Sequence, residues 1–126
     1  MAGDASGAQA LLDRMLKKPM FAVLRTPRNL ERMGELLEAH LRWMIAAEQR
    51  GDIFASGPFV SDSGPPGTAG GMTLVRAESR DAVDRLLTDD PFVKEGVYSI
   101  EIRKWLLMEG EITVSVRLSD RTYTLS

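Results

Sequence analysis

The sequence contains no cysteine, which excludes disulfides, thiolate catalysis and sulfur-ligated zinc or iron–sulfur centres. It holds one histidine, so a site built on two or three imidazoles of one chain is excluded as well. Neither charge dominates: 16 Lys and Arg stand against 18 Asp and Glu, a net charge of −2. Such a balance leaves no electrostatic footprint for nucleic acid. No apolar run approaches the ~20 residues of a membrane span. The opening stretch Met1 to Gly7 carries an acid and no base, and the run Ala8 to Leu12, which follows, is too short for a signal-peptide core. A cytoplasmic location is therefore expected, with no nucleic-acid or membrane partner. The motifs GxGxxG, GxxxxGK[ST], GxSxG and HExxH are missing too, so the nucleotide, acyl-enzyme and zincin readings lack their residues. What is present is ordinary: 126 residues, 44% apolar and 27% charged, the profile of one globular domain with its own core.

Ala8 to Lys18 reads as a short amphipathic helix stopped by Pro19. Met20 to Leu24 is a compact apolar run, expected as a central strand. Thr26-Pro27 suits a helix start, with Thr as cap and Pro in the first turn. From Arg28 to Gln49, the apolar residues Leu30, Met33, Leu37, Leu41 and Met44 repeat at helical spacing. Ile53 to Val60 reads as a strand, and Pro58, which cannot donate to a ladder, points to an edge or a bulge. Ser61 to Gly70 is a loop. Gly71 to Ala77 returns as a strand, and Ser79 caps a second helix over Arg80 to Leu87 that Asp89-Asp90-Pro91 ends. Val97 to Leu107 is a long strand. Ile112, Val114, Val116 and Leu118 alternate cleanly in a further one, and Thr122 to Leu125 forms a last short strand.

The order β-α-β-β-α-β predicts an α+β, ferredoxin-like fold with a C-terminal β extension. The expected organisation is an N-terminal extension with a short helix over 1–18, a ferredoxin-like domain over 19–107, and a β extension over 108–126 belonging to the same domain. Two helices cover one face of the sheet. The other face needs a cover, and a second copy supplies it, so a homodimer or higher homo-oligomer is expected. The extension is expected to pair with a sheet edge, in its own subunit or a neighbour's.

His40 falls on or beside the apolar stripe of the first long helix. Periodicity leaves two readings open, a satisfied packing histidine and a general acid or base. Asp90 is either turn chemistry or a carboxylate that orients His40, since both helices lie on one face of such a sheet. Ser56-Gly57-Pro58 reads as a bulge or as a place of close ligand approach. Gly70-Gly71 reads as loop punctuation. Trp43 and Trp105 read as packing residues.

His40-Leu41, Gly51 to Pro58 with its Ser-Gly-Pro, Asp90-Pro91-Phe92, Gly96-Val97 and Trp105 together resemble the YciI-related family over residues 19 to 107. The resemblance implies a dimeric α+β barrel, similar in fold to muconolactone isomerase. It also implies an active site on His40 and Asp90, with Ser56, Gly57, Pro58 and Phe92 as substrate-binding residues. Many members carry an arginine three residues before the histidine, and here that place is Leu37, so no such anchor carries over. The family includes an enzyme that removes chloride from a chlorinated hydroxyquinol. The implied function is a cofactor-independent lyase, isomerase or dehydrochlorinase acting on a small cyclic or aromatic oxygenated metabolite. The alternatives are a non-catalytic small-ligand-binding or accessory domain, and a haem-binding barrel with His40 as axial ligand.

Overall fold

The computed structural model describes residues 2–126, with side chains from residue 6 onward. The chain divides into two compact units: Pro19–Leu106 is one, and Met1–Lys18 with Leu107–Ser126 is the other.

The larger unit is built on a four-stranded sheet in the order β2-β3-β1-β4. Its strands are β1 (Lys18–Pro27), β2 (Ile53–Pro58), β3 (Gly71–Val75) and β4 (Tyr98–Leu107). This is the strand order of the ferredoxin-like βαββαβ fold, and it puts β2 at an edge, where Pro58 lacks no ladder partner. β3 pairs antiparallel with both β1 and β2. A register shift between Ile53 and Ala55 places the irregularity of β2 at Phe54, three residues before Gly57.

Strand parity decides what is buried. Phe21, Val23 and Arg25 alternate inward on β1, and Thr73 and Val75 do so on β3. Phe21, Val23, Val75, Ile53, Ala47, Val83 and Leu87 form the main core, with Trp43 packed against it. A second cluster, Phe92, Val97 and Tyr98 with Leu30, Met33 and Leu36, lies under the start of the first long helix.

Several boundaries differ from the sequence reading. β1 runs on through Thr26-Pro27, so that pair ends a strand and starts no helix. The helical region opens instead with a 3-10 turn over Leu30–Arg32, where the Asn29 side chain accepts from the Glu31 N–H. Helix α2 then spans Met33–Gln49. Its inward residues are Leu36, His40, Trp43 and Ala47, while Leu37 is 42% and Leu41 48% exposed. The apolar stripe read from Leu37 and Leu41 is thus rotated from the true inward face. α3 (Arg80–Leu87) carries its expected Ser79 cap, which accepts from the Ala82 N–H. Asp89-Asp90-Pro91 ends α3 and also starts a one-turn helix, α4 (Pro91–Lys94), which the sequence reading lacks.

In the smaller unit, α1 covers Ala2–Leu12 and not Ala8–Lys18. After Leu12 the bonds from Arg14 N–H to Leu11 O and from Met15 N–H to Leu12 O tighten the chain, and Lys17 has a positive φ of 52°. Pro19 disfavours helix at Lys18, which is extended at the start of β1. The extension forms β5 (Val114–Arg117) and β6 (Thr122–Leu125), paired antiparallel with each other. For the extension, the expectation is pairing with a sheet edge, in its own subunit or a neighbour's. Among the described residues it forms a two-stranded sheet of its own, because the turn at 118–121 folds it back: Asp120 Oδ1 accepts from the Thr122 N–H and hydroxyl. No helix among the described residues is long and apolar enough to cross a membrane.

Candidate active site

His40 sits on the inward face of α2, and Asp90 caps α4. The two meet: His40 Nδ1 and Asp90 Oδ1 are 2.7 Å apart, with the Asp90 residue fully buried. The direction of the bond follows the histidine tautomer, and Nδ1–H donates when Asp90 is a carboxylate, which only accepts. The same Oδ1 accepts from the Phe92 N–H at 3.0 Å, the N-cap bond of α4. The Asp-Pro turn is therefore both the helix start that fixes the carboxylate and the reason it faces the imidazole. Phe92 stacks on the His40 ring, 4.1 Å between centroids and 12° from parallel, and Tyr98 meets Phe92 edge-on at 5.4 Å. Nε2 of His40 has no hydrogen-bond partner among the described residues and is not among the sealed polar atoms.

A cavity of about 340 Å³ opens beside this pair. His40, Ser56, Gly57, Pro58 and Phe92, all singled out in the sequence, line it together. Asp90 lies behind His40, not on the wall. A Cβ on Gly57 would meet nothing within 4 Å, so packing does not demand glycine there. The demand falls on Gly71, where a Cβ would strike the Arg25 guanidinium and come within 2.8 Å of the Gly57 carbonyl. Gly70-Gly71 is thus the seat of a buried arginine and more than loop punctuation.

Arg25 is the residue the sequence reading missed. It is 6% exposed and lines the cavity. It donates to Thr73 Oγ1, to Ser56 Oγ at 3.4 Å and to the Gly57 carbonyl at 3.2 Å. Ser56 Oγ and Thr73 Oγ1 are themselves 2.8 Å apart. Burial holds the guanidinium below the usual arginine value, and the nearby Asp90 carboxylate and Tyr98 oppose that effect. No described carboxylate lies within ion-pair distance of it. Among the described residues, two buried side-chain polar atoms lack a hydrogen-bond partner, Arg25 Nε and Asp90 Oδ2. The signal was available: Arg25 shares the parity of Phe21 and Val23, which points its side chain inward.

Tyr98 is buried, and its hydroxyl donates to the Gly67 carbonyl on the loop above the cavity. Burial pushes its phenol above the ordinary tyrosine value, while the Arg25 charge opposes that. Unfolded Tyr98 releases its proton near 10.0, and the folded chain keeps it to higher pH. Its contribution to stability is whole below that pH and is lost as pH rises through the folded value. Urea denaturation from pH 8 to 11 should therefore show a steeper loss of stability for the wild type than for Tyr98→Phe.

Among the described residues, no group of three or more His, Asp or Glu side chains is placed to hold a metal ion. The arrangement suits proton transfer at Nε2, with a cation and a hydroxyl nearby to hold a negative oxygen.

No curated protein matches the sequence. Among solved structures, the chain is similar to 5-chloro-2-hydroxyhydroquinone dehydrochlorinase from Burkholderia phenoliruptrix AC1100, determined in complex with 2,5-dihydroxybenzoquinone. The identity is 24% and the TM-score 0.58, over 68% of this chain and 92% of that one, which establishes a shared fold. The YCII-related domain matches residues 19–106, a span that contains α2, α3, α4, all but the end residues of the four-stranded sheet and the His40–Asp90 pair, and the chain belongs to the YCII-related domain family.

Proposed function

We propose that the protein is a small-molecule enzyme of the acid–base type, acting on a compact cyclic or aromatic oxygenated compound. The observation that carries this reading is the bond from His40 Nδ1–H to the buried Asp90, which leaves the Nε2 lone pair for a substrate. Asp90 fixes the tautomer and balances the imidazolium that forms. Nε2 takes a proton from a ring hydroxyl or from carbon beside a carbonyl. The electron pair moves into the ring, and either a leaving group departs with its own pair, giving product plus HX, or the proton returns at another atom, giving an isomer. Arg25 and Ser56 hold the oxygen on which negative charge grows. Phe92 and Pro58 supply apolar walls. The fold neighbour's chemistry, removal of chloride from a hydroxyhydroquinone, is one case of the elimination branch.

The test is a screen of the wild-type chain for chloride release from chlorinated hydroxyhydroquinones and for deuterium uptake from D2O into cyclic hydroxyketones, each repeated with His40→Asn. Turnover that His40→Asn abolishes supports the reading. Saturable binding without turnover in either protein favours a non-catalytic ligand-binding domain instead.

We further propose that the working form is a homodimer joined through the open sheet face, with residues 108–126 counted in the same domain. In the β1–β3 register, Ala22 faces Leu74 and Leu24 faces Met72, with parity opposite to the buried Val23 and Thr73. Met72 is 38% exposed in the single chain. An apolar sheet face of this kind is ordinarily covered. Sedimentation at micromolar concentration should give a dimer or larger species, and a monomer alone would contradict this assembly.

A further inference from the structure

We propose that Tyr98 is a positioning residue that joins the acid–base pair to the connection 59–70, so that one side chain sets both the seat of the His40 ring and the place of the cavity's outer wall. The inference deepens the acid–base reading and rests on it for the role of His40.

Two sets of contacts carry it. The first is a ladder of rings. Tyr98 packs edge-on against Phe92, and Phe92 lies face-on against His40. Edge-to-face and stacked pairs have preferred separations, so a shift of the first ring is passed to the third. The second is a latch. The connection 59–70 joins two paired strands, a task that two to five residues usually perform, and longer connections are commonly functional. Its own hydrogen bonds are internal: Phe59 N–H to Gly70 O, Gly67 N–H to Phe59 O, Gly70 N–H to Gly67 O, and the Thr68 N–H and hydroxyl to Pro65 O. Among the described residues, the bond from the Tyr98 hydroxyl to the Gly67 carbonyl alone ties it to another element.

The seat is also shaped for this contact. Gly67 has a φ of +92°, and a Cβ there would come within 2.7 Å of the Met33 side chain and 3.3 Å of the Tyr98 hydroxyl. Pro66 and Gly67 belong to the cavity wall. Losing one hydrogen bond shifts an open–closed balance by about two- to tenfold. The latch is therefore weak enough to open for a ligand and strong enough to keep the wall closed otherwise.

The test uses the full chain and two readouts that need no turnover: amide exchange at Gly67 and Gly70, and the ring nitrogen resonances of His40, the sole histidine. Tyr98→Phe keeps the ring and removes the hydroxyl. It should speed exchange at Gly67 and Gly70 about two- to tenfold and leave the His40 resonances in place. Tyr98→Leu should change both. Should Tyr98→Leu melt below the assay temperature, Phe92→Leu replaces it, and must move the His40 resonances without speeding the loop amides. Unchanged loop exchange in Tyr98→Phe, or unchanged His40 resonances in the ring variant, overturns the proposal. A chain with no turnover at all would remove the acid–base reading and leave these two results standing, so the two failures are distinguishable.

Discussion

His40→Asn is expected to lower any turnover of the wild-type chain by at least about a hundredfold while leaving the fold intact. General acid–base transfer by a placed side chain contributes roughly 10²–10⁴ in rate, and asparagine transfers no proton. Asparagine is smaller, polar and able to bond to Asp90, so the cost to stability is limited to the lost stacking on Phe92, about 1 kcal/mol. Asp90→Asn should lower turnover less, because the imidazole stays. It keeps the cap of α4 but gives up the fixed tautomer. Rates from single-turnover experiments, with circular dichroism for the fold, check both. Equal rates for His40→Asn and the wild type would place the chemistry elsewhere.

Gly70→Ala is expected to be the most damaging single methyl addition to the connection between β2 and β3. Gly70 has a φ of +88°, and its Cβ would run into the backbone carbonyl of Arg25. No rotamer relieves a clash with backbone, and the left-handed conformation itself costs alanine roughly 1–2 kcal/mol. A loss of about 3 kcal/mol or more is expected, read as a fall in the urea midpoint. The damage should reach the site, because Arg25 is the residue displaced. Gly57→Ala is the control: its Cβ meets nothing within 4 Å, and stability should stay within about 0.5 kcal/mol of the wild type.

The fold was legible where local signals agree with burial. Ser79 followed by an amphipathic turn marks α3, and alternation marks β4 and the extension. Signals failed where a polar residue occupies an inward position. His40 interrupts the stripe of α2, so the spacing points to Leu37 and Leu41 as its inward face, while Leu36, His40, Trp43 and Ala47 hold that place. Arg25 follows the apolar run Met20 to Leu24, and the Thr73 and Ser56 hydroxyls that receive it lie on other strands, so no local motif announces a buried cation. Asp90-Pro91 looks like a stop signal, yet the same residues start α4. Capping chemistry is identical in the two roles, and only the backbone that follows separates them. The pairing of His40 with Asp90 was reachable through the family resemblance. The resemblance offered no arginine at position 37, and the cation in the cavity comes from β1.

The most direct test of the account is the tautomer of His40, read from its two ring nitrogens by ¹⁵N NMR at a pH where the ring is neutral. One histidine in the chain makes the assignment unambiguous. The geometry predicts the proton on Nδ1, donated to Asp90, and a bare Nε2 whose resonance moves when a ligand enters the cavity. A proton found on Nε2, with Nδ1 bare, would mean that the nitrogen facing the cavity holds no lone pair, and would contradict the proposed chemistry.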